Sequence, residues 1–212
     1  MDRRDKVYVV DDDAGMRESL RFLLEAQQMA VEVYASAREF LAAGGAGKAG
    51  CLIADVRMPD MTGLELQEEL ARRKSPLAVI LITGHADVPM AVRAMRAGAF
   101  DFLEKPIADD ALFASVRRAL AERSAPAPPA GAGSEKGAAI AARLALLTPR
   151  EREVLDYIVR GDPHKVIAHA LNISPRTIEV HRARIMRKLE ARNLAHLVEM
   201  MLTSGATAPR HR

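Results

Sequence analysis

The stretch CLIADVRMPDMTG, residues 51–63, carries four apolar residues to a carboxylate, Asp55, and then breaks into a turn punctuated by Pro59 and Gly63. A short apolar run bounded by turn residues reads as a buried strand. With residues 51–54 taken as one such strand, runs of the same kind at 6–10, 31–34, 78–83 and 100–103 bring the total to five. Each is followed by apolar residues at helical spacing. These are Met16, Leu20, Leu23 and Leu24; Phe40 and Leu41; Leu64, Leu66 and Leu70; Val88, Ala91, Val92 and Met95; and Leu112, Phe113, Val116 and Leu120. Five strand-helix units predict an α/β domain with a parallel sheet and helices on both faces. Ligands of such sheets bind beyond the C-terminal ends of the strands, where Asp55 stands.

The chain has 212 residues, 49% of them apolar, enough for one large domain or two ordinary ones. Its net charge of +3 conceals a split. Residues 1–121 hold 16 Lys+Arg against 19 Asp+Glu, net −3, whereas residues 122–212 hold 15 against 9, net +6. Between them ERSAPAPPAGAGSEKGAA (122–139) has no apolar periodicity and the composition of a linker. The expected division is a domain over 1–121, a linker over 122–142 and a second domain over 143–212. The basic second part is the candidate for a polyanionic partner, although basic surfaces are often simply solvated. No run reaches the roughly 18 uncharged apolar residues of a membrane span. The N-terminal MDRRDKVYVVDDD lacks the apolar core of a secretory signal. Cys51 is the only cysteine, which excludes an internal disulfide and a multi-cysteine metal site. It reads as a buried strand residue in preference to a reactive thiol. A reducing, cytoplasmic location is expected.

The polar residues at the strand ends converge. Asp11, Asp12 and Asp13 close the first strand, Asp55 the third and Thr83 the fourth, and Lys105 follows the fifth. Crowded carboxylates resist ionisation unless a cation sits among them. Hard oxygen donors with room for water suit Mg²⁺. A carboxylate beside that ion can act as nucleophile toward a phosphoryl group, with metal and lysine neutralising the oxygens in transfer. Taken singly, Asp11, Asp12 and Asp13 read as readily as turn and helix N-cap residues; the strand ends taken together favour a site.

VVDDD (9–13), DVRMPDMTG (55–63), ITG (82–84) and FLEKP (102–106) resemble the receiver domain of two-component response regulators over roughly residues 5–121. The resemblance implies a flavodoxin-like (βα)5 fold with Asp55 as phospho-acceptor. It implies Mg²⁺ held directly by Asp12, mostly through water by Asp11 and through the backbone carbonyl of Arg57, with Asp55 also at the metal. It further implies Lys105 paired with the phosphoryl group, often across a cis bond to Pro106. Thr83 would swing its hydroxyl toward the added oxygens, and Phe102 would turn into the space vacated. In the family this changes a dimerisation surface made by the fourth helix, fifth strand and fifth helix. Phe102 taken alone is equally a plain core aromatic. Arg93, Arg96, Asp101, Asp109, Arg117 and Arg118 either pair between protomers there or form a solvated face.

Past the linker no strand is evident. Thr148-Pro149-Arg150-Glu151 has the form of a capping box with proline in the first turn, leading into Val154, Leu155 and Ile158. Gly161 and Asp162-Pro163 separate this helix from a second carrying Val166, Ile167, Ala170 and Leu171. Asn172 ends the second, and Ser174-Pro175 starts a third that runs to about Leu189; a fourth covers 194–202. The third helix is basic and amphipathic, with Ile178, Ile185 and Leu189 on one face and Arg182, Arg184, Arg187 and Lys188 projecting elsewhere. Arginines bind phosphates through charge and forked hydrogen bonds, and the turn before the helix favours DNA over a merely solvated face. LTPREREVL (147–155) and ISPRTIEVHRARIMRKL (173–189) resemble the LuxR-type four-helix DNA-binding domain, a small all-α helix-turn-helix unit. The whole chain resembles the FixJ-like branch of the NarL/FixJ response regulators. Matching positions put Glu179, Val180 and Ala183 toward base edges, Glu179 being suited to a cytosine amino group. They put Arg176, His181, Arg182 and Arg184 nearer the backbone; His181 alone is also readable as a helix-packing residue. The family's usual Asn-Lys-Glu-Ile-Ala start to the second helix is here His164-Lys165-Val166-Ile167-Ala168.

The expected function is thus a response regulator, not an enzyme, with at most slow autodephosphorylation. Its partners by resemblance are a sensor histidine kinase, double-stranded DNA and a second copy of itself, with RNA polymerase as a further candidate and no membrane. Two alternatives stand beside it. One is a phosphatase or phosphotransferase working through an aspartyl-phosphate, although such enzymes often carry a second acid where this chain has Arg57. The other is a constitutive DNA-binding protein with a structural receiver.

Overall fold

The computed structural model describes residues 6–84, 87–124 and 132–204. Residues 125–131, the proline-rich heart of the expected linker, lie outside the described residues, as do the first five residues read for a secretory signal. The chain divides into two compact units, a sheet-bearing one and a helical one.

In the first unit β1 (Lys6–Val10), β2 (Ala30–Tyr34), β3 (Gly50–Asp55), β4 (Leu77–Thr83) and β5 (Asp101–Glu104) form one sheet. The strand order is β2-β1-β3-β4-β5 and every pairing is parallel. β3 and β4 are buried along their whole length, which is why they read as unbroken apolar runs. β3 continues one residue past its expected end, so Asp55 is itself the last residue of the strand, paired in register with Ile82. Alternation along the strands sends Val7, Val9, Cys51, Ile53, Ile80 and Ile82 to one face, where Leu20 and Leu24 of α1 (Ala14–Ala26) and Leu112 and Val116 of α5 (Asp109–Ser124) meet them. Tyr8 turns to the other face and meets Phe40 of α2 (Ala37–Ala42) at a ring separation of 5.9 Å. Helix α3 (Gly63–Arg72) contributes the buried Leu66 and Leu70. A short 3-10 turn at Gly45–Gly47 was not foreseen.

The start of α3 is built against Asp55. Thr62 and Glu65 close a capping box, and the Gly63 amide donates to the Val56 carbonyl at 3.1 Å. A Cβ on Gly63 would stand 2.3 Å from the Asp55 carbonyl oxygen, so only glycine fits.

Helix α4 (Val88–Arg96) lies in sequence between β4 and β5 and groups with the helical unit. The rest of that unit is α6 (Ala132–Ala145), α7 (Pro149–Arg160), α8 (His164–Leu171), α9 (Pro175–Leu189) and α10 (Leu194–Thr203). The last four match the expected four helices. α6 occupies residues read as linker and packs on α9, burying Ile140 and Leu144. The α7 capping box forms as expected, and Gly161 ends that helix in the left-handed region at φ 86°. Asn172, also left-handed, ends α8, and the Ser174 side chain caps α9. No helix among the described residues is long and apolar enough to cross a membrane.

Replacing Gly63 by alanine is expected to lower the stability of the sheet-bearing unit by about 2 kcal/mol, as forced overpacking does. A lower urea midpoint with unchanged slope checks this; an unchanged midpoint contradicts the steric reading.

Candidate functional site

At the C-terminal ends of β1, β3 and β5 the structure brings Asp11, Asp55 and Lys105 together. The Lys105 ammonium donates to Asp55 Oδ1 at 2.6 Å and to Asp11 Oδ2 at 2.9 Å. Asp11 and Asp55 are buried, at 1% and 5% exposure. The second Asp55 oxygen accepts the Arg57 amide N–H at 2.5 Å, and the second Asp11 oxygen accepts the Asp13 amide at 2.9 Å. Burial pushes the Asp55 carboxyl above its ordinary pKa, against the opposing pull of Lys105 and the Arg57 amide. Burial pulls the Lys105 ammonium down, but its bonds to Asp55 and Asp11 outweigh this and leave its pKa raised.

The three adjacent aspartates separate by role. Asp13 is the N-cap of α1, its side chain accepting the Met16 amide, so for this residue the helix-cap reading holds. Asp12 is exposed and Asp11 buried. Thr83, fully buried, ends β4, and its carbonyl accepts the Lys105 amide at 2.8 Å. The Lys105–Pro106 bond is cis. Phe102 is buried at 5% exposure, and its amide donates to the buried Asp101 carboxylate, which Ser115 and Arg118 of α5 also hold. Asp101 and Arg118, expected either to pair between protomers or to be solvated, therefore pair within one chain at 2.6 Å.

Among the described residues no three His, Cys, Asp or Glu side chains are gathered as a ready metal cluster. Lys105 instead bridges the two buried carboxylates. The chemistry of the pair still fits a hard divalent cation: Asp11 and Asp55 offer carboxylate oxygens carrying two formal negative charges against one positive from Lys105.

In the helical unit α9 presents Arg176, Glu179, Val180, Ala183, Arg184 and Arg187 to solvent at three- and four-residue spacing, opposite the buried Ile178, Ile185 and Leu189. Val180 is 45% exposed. His181 and Arg182 are half-buried. Burial, then the charge of Arg182, holds the His164 imidazole below its usual pKa, with Glu179 opposing. Lys188 departs from the expected outward projection. Its ammonium donates to Glu151 Oε2 at 2.6 Å and to the Leu146 carbonyl at 3.1 Å. Glu151, 3% exposed, also accepts the Thr148 amide. Spacing held the signal that was missed, since Lys188 lies three residues beyond Ile185 on the buried side of α9.

Residues 7–117 match the response regulator receiver domain family, and residues 145–201 the luxR family of bacterial regulatory proteins. Together they define a phosphorylation-linked receiver joined to a helix-turn-helix reader. The chain belongs to the two-component response regulators, as a FixJ-like regulator of transcription with receiver and LuxR-type DNA-binding domains. It is 49% identical to the transcriptional regulatory protein FixJ of Azorhizobium caulinodans, over 94% of this chain and 92% of the relative. It is 47% identical to FixJ of Rhizobium meliloti, over 94% of this chain and 96% of the relative. The crystal structure of full-length FixJ from B. japonicum matches with a TM-score of 0.53 at 43% identity, covering 96% of this chain and 98% of that one. Receiver domains of this kind generally bind Mg²⁺ at the phosphorylation site.

The Glu151–Lys188 pair gives a pH-dependent outcome. Hydrogen bonds from Lys188 and the Thr148 backbone lower the Glu151 pKa from 4.5 to about 2. A depressed carboxylate stabilises the fold above its unfolded pKa and loses that contribution as pH falls through the folded one. Glu151→Gln is therefore expected to be less stable than the parent above pH 4.5, with the gap closing toward pH 2. Lys188→Met is expected to cost about 2 kcal/mol, below the figure for a fully buried pair because Lys188 keeps one side in water. Chemical denaturation across that pH range checks both, and a gap that does not change with pH contradicts the assignment.

Proposed function

We propose that a sensor histidine kinase phosphorylates Asp55, and that the modified receiver associates with a second copy and so strengthens the grip of α9 on DNA. The bridge from Lys105 to both Asp55 and Asp11 carries this reading, because it places a fixed cation where the oxygens of a phosphoryl group on Asp55 would gather. An Asp55 oxygen bonds to phosphorus as the donor's phosphorus–nitrogen bond breaks. Lys105, already charged, neutralises the transferred group without taking a proton. Mg²⁺, held by Asp11, Asp12, Asp55 and the Arg57 carbonyl, would supply the remaining charge neutralisation. Thr83 would then offer its hydroxyl to the new oxygens, and Phe102 would repack beside it. The association runs through the α4-β5-α5 face. Arg57 stands where a phosphatase would carry its second acid, which favours a stored phosphate over turnover, with at most slow autodephosphorylation.

On DNA, Glu179, Val180 and Ala183 read base edges in the major groove, Val180 being suited to a thymine methyl. Arg176, His181, Arg182, Arg184 and Arg187 bind the backbone, and Lys188 acts through Glu151 as an internal strut. RNA polymerase is the further partner and the cytoplasm the setting. Asp55→Asn is expected to abolish phosphate uptake from acetyl phosphate with Mg²⁺; labelling that persists unchanged would falsify the assignment. Arg184→Ala is expected to weaken binding evenly across DNA sequences and to reduce the salt slope by about 1, whereas a change confined to one base position would mark it as a base reader.

A further inference from the structure

Arg17 stands in the first turns of α1 and belongs to no motif that marks the phosphorylation site. Its Nη1 donates to the Asp11 carbonyl at 2.7 Å and to the Asp12 carbonyl at 3.0 Å. Among the described residues these hydrogen bonds go to the backbone of the acidic turn, not to its carboxylates. The two carbonyls belong to the two rigid peptide planes that flank the Asp12 Cα. One guanidinium gripping both planes fixes the backbone dihedrals of Asp12 from either side. The Asp13 amide, bonded at 2.9 Å to Asp11 Oδ1, holds the second plane as well. The Arg17 amide in turn donates to the Asp13 carbonyl at 3.0 Å, so the turn is locked to the helix that carries the guanidinium. Asp12 itself is exposed, so the direction in which its carboxylate leaves the backbone is set by how this turn is held.

We propose that Arg17 is a positioning residue of the phosphorylation site, fixing the Asp11–Asp12 turn so that the Asp12 carboxylate is held ready for a divalent cation. This rests on the reading that the pocket takes Mg²⁺. Arg17 touches neither metal nor phosphoryl group; it acts through Asp12. A cation close to a metal site would by charge alone weaken metal binding, whereas an organiser of the ligand turn strengthens it. The two roles therefore predict opposite signs when Arg17 is removed.

The test uses the full chain and Mn²⁺ as the probe, with free ion followed by electron paramagnetic resonance. Arg17→Met keeps the aliphatic stem and removes both hydrogen bonds and the charge. Its Mn²⁺ dissociation constant is expected to rise roughly 10-fold, the scale of an outer-shell loss. Arg17→Lys, which keeps the charge but places its donor on a shorter stem, is expected to fall between Arg17→Met and the parent, and it serves alone if Arg17→Met does not fold. The Mg²⁺ concentration that half-saturates phosphate uptake from acetyl phosphate should rise in step, with the rate at saturating Mg²⁺ preserved. Unchanged or tighter Mn²⁺ binding in a folded variant overturns the proposal while leaving the Mg²⁺ reading intact. A parent protein that binds no Mn²⁺ removes that reading and the proposal with it.

Discussion

Asp11 and Asp55 bring two carboxylates from different strands to one half-buried ammonium, Lys105, and the match is unequal by one charge. Neither acid is free to move toward water, because each also holds a backbone amide. The excess negative charge is thus built into the sheet and is not an accident of side-chain placement. A site of this kind favours anything that brings positive charge and resists further anionic load until it arrives. That is a suitable condition for a receiver, which must accept a phosphoryl group only in the right company.

The helical unit answers its own buried charge differently. Glu151 is nearly inaccessible, yet its carboxylate accepts from the Lys188 ammonium and the Thr148 amide, while its own amide donates to the Thr148 hydroxyl. The pair joins the start of α7 to the end of α9, and Arg150 adds a second tie from α7 to the Leu171 carbonyl at the end of α8. These ties give α9 a fixed seat, and the six exposed residues on its outer face stand on that seat. In one unit charge is left in surplus to attract a ligand; in the other it is balanced to hold a scaffold.

The strands were readable because β3 and β4 are buried on both faces and so kept continuous apolar runs. Helices with caps were equally plain, as at Thr148 and Ser174. Spacing alone did not separate Asp11, Asp12 and Asp13, since position relative to the start of α1 decides which one caps; the family resemblance left Asp13 outside the metal set. α6 was missed because Ile140 and Leu144 are too sparse a stripe to declare a helix; packing on α9 supplies what local pattern did not. Lys188 looked like its basic neighbours; its spacing from Ile185 put it on the buried side, and the buried acid of another helix gives it its partner. Arg17 gave no signal, because its partners are main-chain carbonyls and a residue string does not show where those point.

The close approach at Gly63 has a mechanical meaning. With α3 abutting the Asp55 carbonyl and its amide tied to Val56, the backbone of the acceptor has a wall behind it. The Asp55 backbone has no room to shift in that direction. On its other side β3 is followed across the sheet by β4 and β5, where Thr83 and Phe102 sit in adjacent strands. A missing Cβ in one turn thereby lets helix and strand stand as one stiff unit at Asp55.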